Sequence, residues 1–170
     1  PSGGATQNNG ALGLIAGGGD LPRAAAAAVR ASGREVFVVP LVGSAGGEWV
    51  ADFAHEWLTP GEPGRILKAL KSHGVTEVLL CGKVDRPKFS DMKLDAKGML
   101  LLPKAVAAAR QGDDALLRFL VGIFEDEGLK AVGVAEAAPA LVCGEGPLGR
   151  VTPGEDHRAD IAAAFRIVRA

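Results

Sequence analysis

A short apolar run, Ala11-Leu12-Gly13-Leu14-Ile15-Ala16, breaks into Gly17-Gly18-Gly19 and is followed at once by Asp20-Leu21-Pro22 and an alanine-rich stretch that ends at Gly33. That order predicts strand, glycine turn, helix. Proline is tolerated in a first helical turn, where its missing N–H has no partner to lose, and glycine just past a helix end takes the left-handed conformation cheaply. Alanine and glycine fill 53 of the 170 positions, so close approach of backbones is a general expectation. Leu, Ile, Val and Phe supply 46 more, enough for a globular core. A chain of this length hides roughly 70% of its unfolded surface, which suits one domain, with residues 1–10 expected as a flexible leader.

The same patterning extends along the chain. A second strand is expected over 35–42, dense in β-branched residues, with Pro40 near its end pointing to an edge or a bulge. Residues 43–47 form a loop, and 48–58 suits a short helix followed by a short strand near 55–59. Pro63 and Gly64 open a helix whose Ile66, Leu67 and Leu70 share a face, and Gly74 stops it. Residues 76–81 make the clearest strand. From Gly82 an irregular segment, Lys83-Val84-Asp85-Arg86-Pro87, runs to about Gly98, too long for an ordinary connection and so marked as functional. Helices are expected over 99–111 and 113–127, the second with Leu116, Phe119, Leu120 and Ile123 as an inward stripe. A strand over 129–134 follows. Thr152-Pro153-Gly154-Glu155, with the spacing of a capping box, announces a last helix that carries Ile161, Phe165 and Val168 on one face.

Strands alternating with helices imply right-handed crossovers and an α/β fold: a Rossmann-like parallel sheet with helices on both faces, in a single domain. Ligands of such sheets sit at the carboxyl ends of the strands, where the strand order reverses. Here those ends carry 17–20 and 82–87.

Composition narrows the function. With 19 basic against 20 acidic residues, the chain lacks the electrostatic footprint of a protein gripping a phosphate backbone, and no nucleic-acid partner is expected. No apolar run approaches the roughly 18 residues that cross a bilayer. Cys81 and Cys143 show no CxxC spacing, and His55, His73 and His157 form neither HxH nor HExxH, so neither a zinc site nor a disulfide framework is expected. No secretory signal is visible, which makes a reducing cytoplasm the expected compartment.

Three groups of residues carry chemistry. Gly17, Gly18 and Gly19 would let three successive peptide N–H groups approach a ligand with no Cβ in the way, beside a helix N-terminus worth roughly half a positive charge. Phosphate is the natural guest. The run is not a P-loop, because no Gly-Lys-Ser/Thr follows, and not a dinucleotide fingerprint, because Pro22 stands three places after Gly19. The alternative is a tight turn with Asp20 as the helix cap. Gly82, Lys83 and Arg86 follow a strand and would bring an ammonium and a guanidinium to the same sheet edge, Arg86 for bidentate recognition and Lys83 as a point charge. The alternative there is a solvated loop stiffened by Arg86-Pro87. Asp113 and Asp114 stand where a helix starts. They serve its N-terminus, or, if that end faces the cleft, hold Mg²⁺ against a diphosphate or bond a ribose. Cys81 is expected to be an inert apolar residue, and no histidine reads as a general base.

The segments Leu14-Ile15-Ala16-Gly17-Gly18-Gly19-Asp20-Leu21-Pro22, Gly82-Lys83-Val84-Asp85-Arg86-Pro87-Lys88-Phe89 and Gly112-Asp113-Asp114-Ala115-Leu116-Leu117-Arg118 together resemble the N-terminal half of the LpxI family. Three motifs in the same order with similar spacing are far more specific than any one alone. The resemblance implies a UDP-2,3-diacylglucosamine pyrophosphatase of lipid A synthesis, a Mg²⁺-dependent hydrolase releasing UMP and 2,3-diacylglucosamine 1-phosphate at the cytoplasmic face of the inner membrane. It also implies a second, catalytic domain with the substrate held between the two. This chain is expected to lack that domain, and with it most of the metal site and the attacking water. On that resemblance Gly17, Gly18, Gly19, Asp20, Gly82, Lys83, Arg86, Asp113 and Asp114 would furnish one wall of the cleft. Two alternatives stand beside it. A nicotinamide or flavin enzyme would use the same glycine turn but calls for an acidic residue at the end of the second strand, and 39–42 offers none. A non-enzymatic nucleotide-binding or interaction module is the other.

Overall fold

A computed structural model describes residues 10–84, 93–144, 146 and 149–169. Five parallel strands make one sheet, β1 (Ala11–Ala16), β2 (Val36–Pro40), β3 (Ala54–His55), β4 (Val75–Cys81) and β5 (Lys130–Ala131), in the order β3-β2-β1-β4-β5. The helices are α1 (Leu21–Ala31), α2 (Pro63–Ser72), α3 (Ala96–Gln111), α4 (Asp113–Glu125), α5 (Val134–Ala137) and α6 (Arg158–Arg169). The chain builds outward from β1 to β3 and then crosses back to lay β4 on the other side of β1. Strand order therefore reverses between β1 and β4, and the sheet is of the Rossmann-like α/β kind. Among the described residues no helix is long and apolar enough to cross a membrane.

Burial explains the strand sequences. β1 lies at the centre, covered on both faces, and all six of its residues are buried, as a near-continuous apolar strand of a parallel sheet should be. Leu12, Leu14 and Ala16 face α1 together with Val36, Val38 and Leu79, where Ala25, Ala26 and Val29 fill the gap. Ile15, Phe37, Val39 and Val78 face the opposite way, onto Ile66, Leu67 and Leu70 of α2. Each of these larger side chains contributes roughly 1.5–3 kcal/mol by leaving water. The alanines of α1 let that helix sit close to the sheet.

Several expectations change in the structure. Pro40 is at neither an edge nor a bulge: it is buried in β2, opposite Ala16, with β3 on the other side. Its nitrogen points the way the Val42 N–H does, toward β3. There Glu56 N–H donates to Val38 O, Leu58 N–H to Pro40 O and Val42 N–H to Leu58 O, so the run of bonds continues past the proline and lacks only the one its nitrogen cannot donate. α3 starts at Ala96 instead of 99, because Asp95 caps it by accepting a 2.6 Å bond from the Gly98 N–H. The stripe of Leu116, Phe119, Leu120 and Ile123 is half-buried, since α3 and α4 pack chiefly on each other and only the base of the hairpin, at Ile123 and Phe124, reaches the core. Thr152 makes no cap. Gly154 precedes a 3₁₀ turn at Glu155–His157, and α6 begins only at Arg158, with Ile161, Phe165 and Val168 exposed. The strand expected over 129–134 is reduced to Lys130–Ala131, because Gly133 already starts α5.

Two ionic clusters tie the layers. Glu77, 7% exposed within β4, accepts from Arg34 at 2.6 Å and from Lys130 of β5 at 3.3 Å, which is what lets a carboxylate sit in a buried strand. Glu127, just past α4, accepts from Lys71 of α2 at 2.6 Å and from Lys97 of α3. Hydrogen bonds from these two ammonium groups, with their charge, hold its carboxyl down to about 2. A lowered folded value means that this contribution is complete above the ordinary 4.5 and disappears as pH falls toward 2. Thermal melts should accordingly show Glu127→Gln less stable than wild type near neutral pH, with the gap closing on acidification below about pH 4. A gap independent of pH would show that the ion pairs are not its origin.

Candidate functional site

The reversal of strand order falls between β1 and β4, and there the two loops meet. Gly17 N–H donates to Cys81 O at 2.8 Å, Gly18 N–H to Lys83 O at 2.7 Å, and Lys83 N–H to Gly18 O at 2.9 Å. The last two bonds form an antiparallel bridge that joins the turn after β1 to the turn after β4. Glycine is required by this contact. A Cβ on Gly17 would stand 2.5 Å from Lys83 O, and one on Gly82 would stand 2.8 Å from Gly18 O and 2.7 Å from Pro22 Cγ. Gly82 also holds φ +97°, a conformation L side chains avoid.

Three amides facing a ligand was the sequence expectation, and the bridge reduces it: the N–H groups of Gly17 and Gly18 are spent on backbone carbonyls. What remains is the N-terminus of α1. Asp20 occupies its N-cap position in an α-type conformation, φ −85° and ψ −20°, and its side chain makes no cap bond. The extended backbone that usually aims an N-cap carboxylate at the first turn is missing. The amides of Gly19, Asp20, Leu21 and Arg23 consequently have no acceptor among the described residues, and Pro22 has no N–H to offer. Gly19 and Asp20 are exposed. This is an open, positively polarised helix end at the switch point of the sheet, with Lys83 bonded to the adjoining turn.

Cys81 ends β4 beneath the bridge, and burial pushes its thiol up, so it is no thiolate nucleophile near neutrality. Arg86 lies outside the described residues. Asp113 and Asp114 open α4 at the far end of the hairpin from Asp95, a 16-residue α3 away, or about 24 Å of helix. Both are exposed, α4 packs chiefly on α3 and β5, and Asp114 pairs with Arg118. Gly112 holds the N-cap position of α4, and both aspartates lie in its first turn. The first two motifs are thus in contact, while the third sits on the hairpin.

Magnesium wants six oxygen ligands in near-ideal octahedral array. Among the described residues no three His, Cys, Asp or Glu side chains converge as a metal site, and one of the two aspartates on α4 is tied to an arginine. The aspartate pair therefore stands on the α3–α4 hairpin, away from the bridge between β1 and β4, with Asp114 engaged by Arg118.

Concavities among the described residues also lie elsewhere. One, of about 440 Å³, sits at the amino-terminal edge of the sheet between Arg30, Arg34, Phe37, Phe53 and His73. Another, of about 570 Å³, lies beside α2 and is lined by Leu67, Lys68, Lys71, Lys97 and Glu127. The first is at the wrong end of the strands for a Rossmann-like site, and in the second Lys71, Lys97 and Glu127 are committed to one another as ion pairs. Sequence reasoning missed the cross-layer partners Asp95, Glu77 and Glu127, whose contacts lie 30 or more residues away.

Comparison with known proteins bears on the same stretch. Residues 11–141 match the model of the LpxI N-terminal domain. The UDP-2,3-diacylglucosamine pyrophosphatase LpxI of Caulobacter vibrioides is 40% identical over 158 residues, 93% of this chain and 56% of the relative. This chain therefore spans just over half that relative's length. The match runs through the sheet, the bridge and the hairpin, and the chain belongs to the LpxI family.

Proposed function

We infer that this chain is the substrate-binding N-terminal domain of a UDP-2,3-diacylglucosamine pyrophosphatase, and that its carboxyl edge takes the nucleotide-diphosphate end of the substrate. The observation that carries this is the uncapped α1 N-terminus at the switch point, bridged to Lys83. Amides that need no reorganisation and a nearby ammonium suit phosphate oxygens. The hydrolysis, which would give UMP and 2,3-diacylglucosamine 1-phosphate, needs in addition a base and a metal. We assign both, with the Mg²⁺, to a catalytic domain against which this one closes, and place the protein in the cytoplasm, meeting the inner membrane peripherally. On its own this domain binds and does not hydrolyse.

Calorimetry with UMP and a UDP-sugar tests the binding half. Lys83→Ala should weaken both by roughly tenfold or more, the worth of one charge-assisted hydrogen bond, and Arg86→Ala should act in the same direction. Equal affinity in wild type and both variants would remove these cations from the site. Mixing with a separately expressed carboxyl half should restore hydrolysis. A domain that binds nucleotide yet restores no activity would instead be a non-enzymatic nucleotide module.

A further inference from the structure

We propose that Trp57 is the base-stacking residue of this site, so that the nucleoside of the substrate lies across the ends of β2 and β3 with its phosphates on the α1 N-terminus. This rests on the nucleotide-binding role inferred above. Trp57 follows β3 and is 42% exposed, and its indole makes no ring contact or hydrogen bond among the described residues. The Leu41–Leu58 bridge puts Leu58 in the core on the α2 side. Alternation along the strand turns Trp57 to the other side, level with Pro40 and on the same side as Val42 two residues further on, itself 50% exposed and bonded through its N–H to Leu58 O. Two large apolar side chains thus stand in water at the carboxyl edge.

The spacing suits a nucleotide. β3 is two strands from β1, about 10 Å at the usual interstrand distance, which is the reach of a nucleoside from its phosphate to its base. Between them passes the loop after β2, whose Ser44 O would lie 2.8 Å from a Cβ on Gly18. That loop is pinned by the Trp49 indole N–H, which donates to Gly46 O at 3.0 Å. No carboxylate ends β2 to hold ribose hydroxyls, since Val39, Pro40, Leu41 and Val42 stand there. A flat ring is the remaining handle, and stacking on an indole takes any base face.

The test compares UMP with ribose 5-phosphate, which keeps the phosphate and sugar and lacks the base, using calorimetry on wild type, Trp57→Leu and Trp57→Phe. Trp57→Leu should lose about tenfold in UMP affinity and nothing for ribose 5-phosphate, while Trp57→Phe should hold UMP within about threefold. Matching far-UV spectra and melting temperatures check that each variant is folded. Equal losses for both ligands, or none for UMP, would overturn the stacking role while leaving the phosphate site in place. Wild type binding neither ligand would overturn both.

Discussion

Gly17→Ala should destabilise the domain by roughly 2–3 kcal/mol, the range for forcing atoms into a filled and inflexible space, and lower its melting temperature by roughly 5–10 °C. The new methyl would stand 2.5 Å from Lys83 O. That oxygen is backbone in the turn after the central pair of strands, so it cannot swing aside as a side chain would. Relief requires breaking the Gly18–Lys83 bridge, and the loss of nucleotide affinity should accompany the loss of stability. Gly82→Ala should be at least as severe, because it adds a φ of +97° to its clash with Gly18 O and Pro22. Gly19→Ala makes the contrast. A Cβ there meets nothing within 4 Å, and only its φ of +92° opposes the change, which costs about 1–2 kcal/mol. Differential scanning calorimetry on the three variants checks the ranking. Gly17→Ala melting with wild type would mean that the bridge is not there.

The second large effect is expected at Asp95. Its Oδ1 accepts from Gly98 N–H at 2.6 Å, at the start of α3, and its Oδ2 accepts from Arg65 N–H at 3.0 Å, in the first turn of α2. One carboxylate therefore serves two helix N-termini, and α2 has no side-chain cap of its own from Glu62. At about 1 kcal/mol per cap, Asp95→Ala should destabilise by roughly 2 kcal/mol, with the hairpin of α3 and α4 loosened first because its remaining ties, the Glu127 cluster and the packing of Ile123 and Phe124, sit at its base. Asp95→Asn keeps one acceptor oxygen and should lose about half as much. Urea denaturation gives the magnitudes, and hydrogen exchange should show early opening in α3 and α4 for Asp95→Ala. An Asp95→Ala protein as stable as wild type would reduce the double cap to a surface contact.

These two sites show what a sequence makes legible. β1, α1, α2 and β4 stand near their expected places because local signals agree there: an apolar run, a proline in a first turn, a glycine at a stop. The meeting of the glycine turn with Gly82 and Lys83 also follows from sequence, since a reversal of strand order brings two loops together wherever it occurs. The purpose of the glycines does not follow. A bare amide aimed at a phosphate and a bare amide aimed at a neighbouring carbonyl need the same residue, and only coordinates separate Gly17 and Gly18, bonded within the chain, from Gly19. Asp95 was unreadable for another reason. The donors to its carboxylate include an amide 30 residues earlier, and no local pattern registers a cap lent from one helix to another. Thr152 failed in the opposite way, presenting a local cap pattern just before a 3₁₀ turn whose N-cap is Gly154 instead. Pro40 misled because a proline forfeits a single donor, and the bonds around it, from Leu58 N–H to Pro40 O and from Val42 N–H to Leu58 O, keep β3 on β2 without it.

The central claim is that the carboxyl edge, at the bridge between β1 and β4, is where ligand binds. Titrating UMP into ¹⁵N-labelled protein and following each backbone amide tests it most directly. Shifts should concentrate at Gly19, Asp20, Leu21, Arg23, Gly82 and Lys83, with the amides around Arg30, Arg34 and His73 at the opposite edge unmoved. Shifts confined to that opposite edge, or to α3 and α4, with Gly19 and Lys83 silent at saturation, would contradict it.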